Sequence, residues 1–164
     1  MAEKQAIKVL HGYCDEAYKL YQRNCSGAVR HVAKQMGYPL PELSANQLID
    51  YFKIAGWNEV DESRAQSFAD AGRLVVAGKK EPGSGHVVVV LPGGMANSGG
   101  YEFVNKKGTT VTAANRGLYP RSCSTSSGNW PGALSDGDKS VRDAWTESDY
   151  KKVRYWVAPL YGPV

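Results

Sequence analysis

The apolar run from Val87 to Leu91 constrains the fold of this 164-residue chain more than any other segment. Consecutive apolar residues without alternation, four of them valine, are typical of a buried β-strand. Gly85 and His86 come directly before the run, so the histidine is expected at the mouth of a core strand, where it is held rigidly. The glycine beside it leaves room for a close approach. The run therefore predicts a buried strand that carries a histidine at one end.

A second pattern, from Asn24 to Gly37, predicts an amphipathic helix that begins at Cys25. Asn24 is a good N-cap residue, and Gly37 with Pro39 beyond it is a stop signal. Cys25 is therefore expected in the first turn, where free N–H groups and the helix dipole favour the thiolate. The apolar residues at the i, i+3, i+4 and i+7 spacing of one buried face are Val29, Val32, Ala33 and Met36.

A nucleophilic cysteine needs a base, and the chain has three histidines. His11 falls in an amino-terminal helix and is expected to be inert. His31 lies in the helix of Cys25, about 9 Å further along its axis, so it is too far from the sulfur and is expected to be solvated. His86 remains. Alone, Cys25 and His86 would be read as inert core residues, but together they predict a nucleophile and its base.

The motif Asn24-Cys25-Ser26-Gly27, followed some sixty residues later by Gly85-His86-Val87, resembles the papain-like NlpC/P60 and CHAP cell-wall peptidases. The resemblance is closer to the first family of type VI secretion amidase effectors. The other segments that carry this likeness are Met36-Gly37-Tyr38-Pro39, Leu74-Val75-Val76-Ala77-Gly78, Lys139-Ser140-Val141, Trp145 and Tyr155-Trp156-Val157.

This resemblance implies a papain-like, NlpC/P60-like α+β fold and a cysteine amidase that acts on the stem peptide of peptidoglycan. The bond it points to joins the γ-carboxyl of D-glutamate to the L-centre of diaminopimelate. No metal or organic cofactor is implied. The resemblance further implies delivery from the bacterial cytoplasm by a type VI apparatus into a rival's periplasm, and a cognate immunity protein in the producer.

The order of the predicted elements agrees with an α+β fold, with helices first and an antiparallel sheet after them. A chain of this length can bury its core in one domain, residues 1–164. Helices are predicted at residues 3–22, from Cys25, and after capping-box patterns at Ser44 and Ser63. A short helix is predicted near 140–145. The predicted strands are residues 73–77, 86–91, 101–104, 109–113 and 153–160.

A third group that orients the imidazole of His86 is expected in a catalytic triad, although a dyad without one is an open alternative. The candidates by sequence order are Asn115, Cys123 and Asp136. The candidate cations for the free carboxylate of the D-glutamate are Arg116, Arg121 and Lys139. Residues 92–100 and 121–138 are polar and irregular, so both are expected to be mobile loops that border the cleft.

The three cysteines are an odd number, which argues against a disulfide framework. Cys14 falls on the apolar stripe of the first predicted helix, as a small core residue would. A Cys14–Cys123 bridge in an oxidising compartment is the alternative.

Composition and motif spacing weigh against several classes of function. Basic residues are dispersed, so nucleic-acid binding has no support. No apolar run reaches the length of a membrane span, and the amino terminus lacks the apolar core of a secretory signal. No zinc-binding spacing joins Cys25, His86 and Cys123. We expect a monomer. A papain-like toxin or deamidase with a protein substrate, and a non-catalytic cell-wall or partner-binding module, remain alternatives.

Overall fold

The amphipathic patterns in the first half of the chain form four helices in the computed structural model, which describes residues 2–128 and 130–159. They are α1 Ala2–Leu20, α2 Cys25–Gln35, α3 Ala45–Ile54 and α4 Glu62–Asp70. The side-chain oxygens of Asn24, Ser44 and Asp61 cap the last three, each accepting from the N–H three residues further on. Ser63 is not a cap, because Asp61 begins α4 two residues earlier than predicted.

Antiparallel strands dominate the regular structure of the second half of the chain, as predicted, and two strands lie before it. The strands are β1 Asn58–Val60, β2 Val75–Lys79, β3 His86–Val90, β4 Ala96–Ser98, β5 Glu102–Val104, β6 Thr110–Thr112, β7 Gly117–Tyr119, β8 Arg121–Ser124, β9 Ser135–Ser140 and β10 Arg154–Val157. Six of them form one sheet in the order β1-β10-β2-β3-β8-β9, and all its pairs are antiparallel. The α+β prediction is confirmed.

The valines of β3 lie at the centre of the protein. Val87 and Val89 belong to the core cluster that includes residues of α1, α2 and α3. Val88 and Val90 belong to a second cluster on the opposite face of the sheet, together with residues of α4 and Trp145. All four side chains are essentially inaccessible to solvent, so the continuous apolar run reflects burial on both faces.

Two smaller sheets were predicted less completely. The β5·β6 pair corresponds to the predicted strands at 101–104 and 109–113. The β4·β7 pair was not predicted, and the segment near 140–145 forms a 3₁₀ turn at Val141–Ala144, followed by α5 at Glu147–Tyr150. Residue 160 of the predicted last strand and residue 129 of the predicted 121–138 loop lie outside the described residues.

The segment 92–100 is anchored, although its composition predicted a mobile loop. The Arg121 guanidinium donates hydrogen bonds to the carbonyl oxygens of Gly94, at 3.1 Å, and Gly137, at 2.6 Å. The Asp70 carboxylate accepts from the N–H groups of Gly93 and Gly94, at 2.9 and 3.0 Å. Charged side chains from other elements thus hold a stretch that its own glycines would leave free.

Within the described part of the chain, no helix combines the length and the apolar character that crossing a membrane requires.

Candidate active site

Cys25 and His86 line one cavity of about 380 Å³. The cavity lies where the first turn of α2 meets the start of β3, and α2 packs directly against β3. The start of α3 and the loop between β2 and β3 form one part of its wall. The segment after β8 and Trp145 form another part. The structure therefore brings the predicted nucleophile and base together from separate halves of the chain.

Cys25 is the first residue of α2, and its sulfur lies against the beginning of β3. The backbone N–H groups of Val87, Ser26 and Cys25 itself lie near this sulfur. Burial raises the pKa of the Cys25 thiol, and these three donors lower it without cancelling the effect of burial. Burial therefore opposes the resting thiolate that the helix start was expected to favour.

Gly27 is required by the N-terminal cap of α2. The Asn24 Oδ1 atom accepts from the Gly27 N–H at 2.9 Å and from the Ser26 hydroxyl at 3.0 Å. A Cβ atom on residue 27 would lie 2.7 Å from both the Asn24 amide and the Tyr21 ring, which is closer than real contacts allow. The glycine thus lets the cap pack against Tyr21, and this packing fixes the position of the helix start that carries Cys25.

Ser124 determines which nitrogen of His86 carries the proton. The Ser124 Oγ atom lies 3.0 Å from His86 Nε2 and donates its own hydrogen to the Ala133 carbonyl oxygen at 2.7 Å. A hydroxyl has one hydrogen, so Ser124 can only accept from His86. Nε2 therefore holds the ring proton, and Nδ1 is free to accept one.

The imidazole of His86 is half-buried, and it is neutral because the surrounding protein removes much of its solvation. Its ring meets the edge of Trp145, with centroids 5.1 Å apart and planes at 63°. Burial lowers the pKa of His86 to about 4, well below its usual value. A neutral thiol and a neutral imidazole thus share the cavity, an arrangement suited to proton transfer from sulfur to Nδ1 as the sulfur attacks a carbonyl.

None of the three candidates for the third group contacts His86. Asn115 accepts from the Asn97 amide at 2.7 Å, and the Cys123 thiol donates to the Cys14 carbonyl oxygen at 3.5 Å. Asp136 interacts with Asp15. Both Cys14 and Cys123 are buried free thiols, so the structure contains no bridge between them.

The side chain that contacts His86 is that of Ser124, the residue next to the candidate Cys123. Cys123 pairs with Val89 across the sheet and belongs to the core cluster under α1, whereas successive side chains of a strand point to opposite faces. Ser124 therefore points to the face that carries His86 and Trp145. Only the register of β8 against β3, which the sequence does not reveal, could have distinguished the two residues.

The other two histidines lie outside the cavity. His31 Nε2 is 3.0 Å from Glu16 Oε1, and its side chain is only 14% exposed. It is thus an interface residue between α1 and α2, and the expectation of a solvated position was wrong. His11 is exposed, on α1.

The predicted substrate-binding cations also lie elsewhere. Arg121 is occupied by backbone carbonyls, and Lys139 binds the Leu134 carbonyl oxygen at 2.8 Å and Asp138 at 3.1 Å. Arg116 lines a separate cavity beside α5. The segment 121–138 borders the active-site cavity as expected, but it is not an irregular loop throughout, because β8 and most of β9 lie within it. No described residue of 92–100 does.

Among residues 2–128 and 130–159, no group of three or more histidine, cysteine and acidic side chains is placed to hold a metal ion. The side chains that line the cavity include a thiol, an imidazole and hydroxyls, groups that nucleophilic acyl transfer uses.

No protein-family model matches the sequence. The peptidoglycan amidase Tse1 of Pseudomonas aeruginosa is 32% identical to this chain over 144 residues, which cover 84% of this chain and 76% of that protein. The similarity is spread over most of both chains, and the α+β architecture is compatible with it. The chain belongs to the family of type VI secretion amidase effectors that its sequence resembles.

Proposed function

We propose that this protein is a peptidoglycan amidase that uses Cys25 as its nucleophile and His86 as its base. One observation carries the proposal. Cys25 begins a helix in the same cavity as a neutral His86, whose Nε2 is held by Ser124 so that Nδ1 is free. Membership of the amidase effector family supports peptidoglycan as the substrate.

In the proposed reaction, His86 Nδ1 takes the thiol proton as the Cys25 sulfur attacks the scissile carbonyl carbon. The N–H of Cys25, at the start of α2, stabilises the oxyanion. The imidazolium then protonates the departing amine, and the C–N bond breaks to leave a thioester. His86 next removes a proton from water, the water oxygen attacks the thioester, and the thiolate leaves and is reprotonated. The products are a carboxylate and a free amine.

Burial keeps His86 unprotonated and able to accept a proton, although its low pKa makes it a weaker base than one whose pKa lies near the operating pH. A base with a pKa near 4 remains unprotonated throughout the neutral range, so the site does not depend on a resting ion pair. The imidazolium forms only during the reaction, next to the negative charge that develops on sulfur and the carbonyl oxygen.

The proposed scissile bond joins the γ-carboxyl of D-glutamate to diaminopimelate. A γ-linkage leaves a free α-carboxylate on the acyl side, which an ordinary α-linked peptide lacks at that place. A site that pairs with this carboxylate would have an unpaired polar group when it binds an α-linked peptide, and this difference gives strong discrimination.

As an effector, the protein would pass through a type VI apparatus into the periplasm of a competing cell, and a cognate immunity protein would protect the producer. The segment 121–138 borders the cavity, so an inhibitor that covers this segment would also obstruct access to Cys25.

Incubation of the wild-type protein with purified peptidoglycan, followed by mass analysis of the fragments, tests the proposal. We expect fragments that end in D-glutamate and new free amines on diaminopimelate. A folded Cys25→Ala variant should release at least about a thousandfold less product, because no nucleophile remains. His31→Ala is the matched control and should retain activity, since His31 lies outside the cavity.

Each alternative outcome has a distinct meaning. Cleavage between the lactyl group and L-alanine, or within the glycan, would contradict the proposed bond. Full activity of Cys25→Ala would contradict cysteine catalysis. A wild-type protein that leaves peptidoglycan intact would favour a protein substrate or a binding module.

A further inference from the structure

Arg23 and Glu81 are the formally charged side chains among the described residues that line the active-site cavity. Glu81 has a cationic partner, because its carboxylate lies 3.5 Å from Lys79 Nζ. Arg23 takes part in none of the ion pairs found among the described residues, and its side chain is exposed. The cavity therefore offers a bound anion one cation that is not already paired.

Hydrogen bonds fix the backbone on both sides of Arg23. Residue 23 lies in the turn between α1 and α2, two positions before Cys25. The Asn24 N–H donates to the Tyr21 carbonyl oxygen at 3.0 Å, and the Ser126 N–H donates to the Gln22 carbonyl oxygen at 3.3 Å. These bonds tie the turn to α1 and to the segment after β8, so the guanidinium extends from a fixed point next to the nucleophile.

A groove of about 470 Å³ continues from the cavity past Arg23. Cavity and groove share Arg23, Ser126, Ser127, Gly128 and Trp130. Beyond them the groove is mainly aromatic and aliphatic, and Arg23 is its only charged side chain among the described residues. A substrate that spans both places therefore meets a single cation, close to Cys25, and then an uncharged surface.

We infer that Arg23 binds the free α-carboxylate of the D-glutamate and is thus the specificity-determining cation of this enzyme. The inference rests on the proposed function, in which the γ-carbonyl of that D-glutamate is attacked. Its α-carboxylate is separated from the attacked carbon by a short aliphatic spacer, and Arg23 lies two positions before Cys25 in the wall of the same cavity. The acyl part of the stem then runs from Cys25 past Arg23 towards the groove.

Arginine suits this role because its planar guanidinium can donate two parallel hydrogen bonds to one carboxylate. A hydrogen bond to a charged group contributes more than a neutral one does. An α-linked peptide, or a stem whose D-glutamate is amidated, would leave the guanidinium without its anion.

The test compares two synthetic substrates with four enzymes. One substrate is L-alanyl-γ-D-glutamyl-diaminopimelate with a free α-carboxylate, and the other carries an α-carboxamide at that position. Wild type should prefer the carboxylate by roughly tenfold to a hundredfold in kcat/KM. Arg23→Gln should lose that preference by slowing only on the carboxylate substrate. Arg23→Lys should retain part of it, and Arg116→Gln, outside the cavity, should retain all of it.

A second readout does not depend on amidase activity. Iodoacetate and iodoacetamide alkylate the same thiol and differ in one negative charge. Arg23→Gln should lower the ratio of their rates with Cys25 and leave the iodoacetamide rate unchanged. Equal slowing of Arg23→Gln on both peptides, or an unchanged alkylation ratio, would overturn the role of Arg23. If wild type cleaves neither peptide, the proposed function has failed, and the alkylation ratio still decides whether Arg23 attracts a carboxylate.

Discussion

The single hydroxyl hydrogen of Ser124 is donated to the Ala133 carbonyl oxygen, so the Ser124 oxygen can only accept from His86. This hydroxyl lies next to His86, where Asn115, Cys123 and Asp136 were the candidates from the sequence. A serine holds the tautomer and orientation of an imidazole without adding charge, and His86 consequently keeps the low pKa that its burial imposes.

Removing the Ser124 hydroxyl should slow the reaction. Ser124→Ala leaves the His86 Nε2–H buried without a partner, at a cost of about 1–3 kcal/mol, and frees the ring to adopt the other tautomer. We expect kcat to fall about tenfold or more with KM little changed, and Ser124→Thr to restore most of it. Ser122→Ala is the matched control, because that buried hydroxyl on the same strand has no hydrogen-bond partner.

A fall of kcat in Ser122→Ala as large as in Ser124→Ala would indicate a general effect on β8 and contradict a specific role for the Ser124 hydroxyl.

The pH dependence of kcat/KM should report the unusual state of His86. The base must be unprotonated, so activity should be lost as the pH falls through about 4, the pKa of His86 in the free enzyme. The rate should stay flat between about pH 5.5 and 8, because the ordinary histidine pKa near 6.5 does not apply to the buried ring. An acidic limb near pH 6.5 would contradict the neutral, buried imidazole.

The same shift makes folding sensitive to acid. His86 binds a proton more readily in the unfolded chain, so its contribution to the free energy of unfolding decreases as the pH falls from about 6.5 towards 4. The pH profile of kcat/KM therefore has to be measured at a temperature where the wild-type protein is folded throughout this range.

At the scale of secondary-structure elements, Asp143 joins β4 to the 3₁₀ turn before α5. Its carboxylate is 1% exposed and accepts hydrogen bonds from the Ser98 hydroxyl, the Gly99 N–H, and the N–H and hydroxyl of Ser140. Its carbonyl oxygen accepts from the indole N–H of Trp130, a residue that lines the cavity. One buried acidic residue thus connects a peripheral strand with the rim of the site.

Asp143→Ala should destabilise the protein by about 3 kcal/mol or more, because it leaves several buried donors without an acceptor. Urea unfolding at neutral pH measures this change. Asn97 is exposed, and Asn97→Ala removes its hydrogen bonds to the Asn115 side chain and the Gly99 carbonyl oxygen; it should alter the free energy of unfolding by about 1 kcal/mol or less. Equal effects of the two substitutions would contradict a structural role for the Asp143 carboxylate.

The sequence predicted those elements whose own pattern is long or capped. The helices α1, α2 and α3 have a full apolar stripe or a side-chain cap, and β3 has its valine run, so all four were expected close to their observed positions. The strands β1, β4 and β7 are short and show no apolar run of their own, and each lies beside a partner strand.

At the scale of the whole molecule, the candidate site was predictable only in part. Cys25 and His86 are recognisable because each belongs to a strong local pattern. Neither Arg23 nor Ser124 belongs to a local sequence pattern. The position of Arg23 depends on which turn faces the cavity. The position of Ser124 depends on the register of β3 and β8, which are distant in sequence. Long-range contacts of this kind are set by packing of the complete core.

The anchored segment 92–100 illustrates the same limit. Its composition predicts mobility, but Arg121 and Asp70 reach it from a strand and a helix that are distant in sequence. Glycine content describes the freedom of an isolated segment, and the contacts with its neighbours decide how much of that freedom remains.

The strand β10 lies between β1 and β2, not at an edge of the sheet. During translation, residues 154–157 are added to the chain after every described residue that lines the active-site cavity. Until then β2 has no partner on one side, and Phe52 lacks Trp156, whose ring centroid lies 5.6 Å away in the finished core. A nascent chain that already contains Cys25 and His86 therefore still lacks its complete sheet. The fully folded amidase can form in the producing cell only after β10 has been translated.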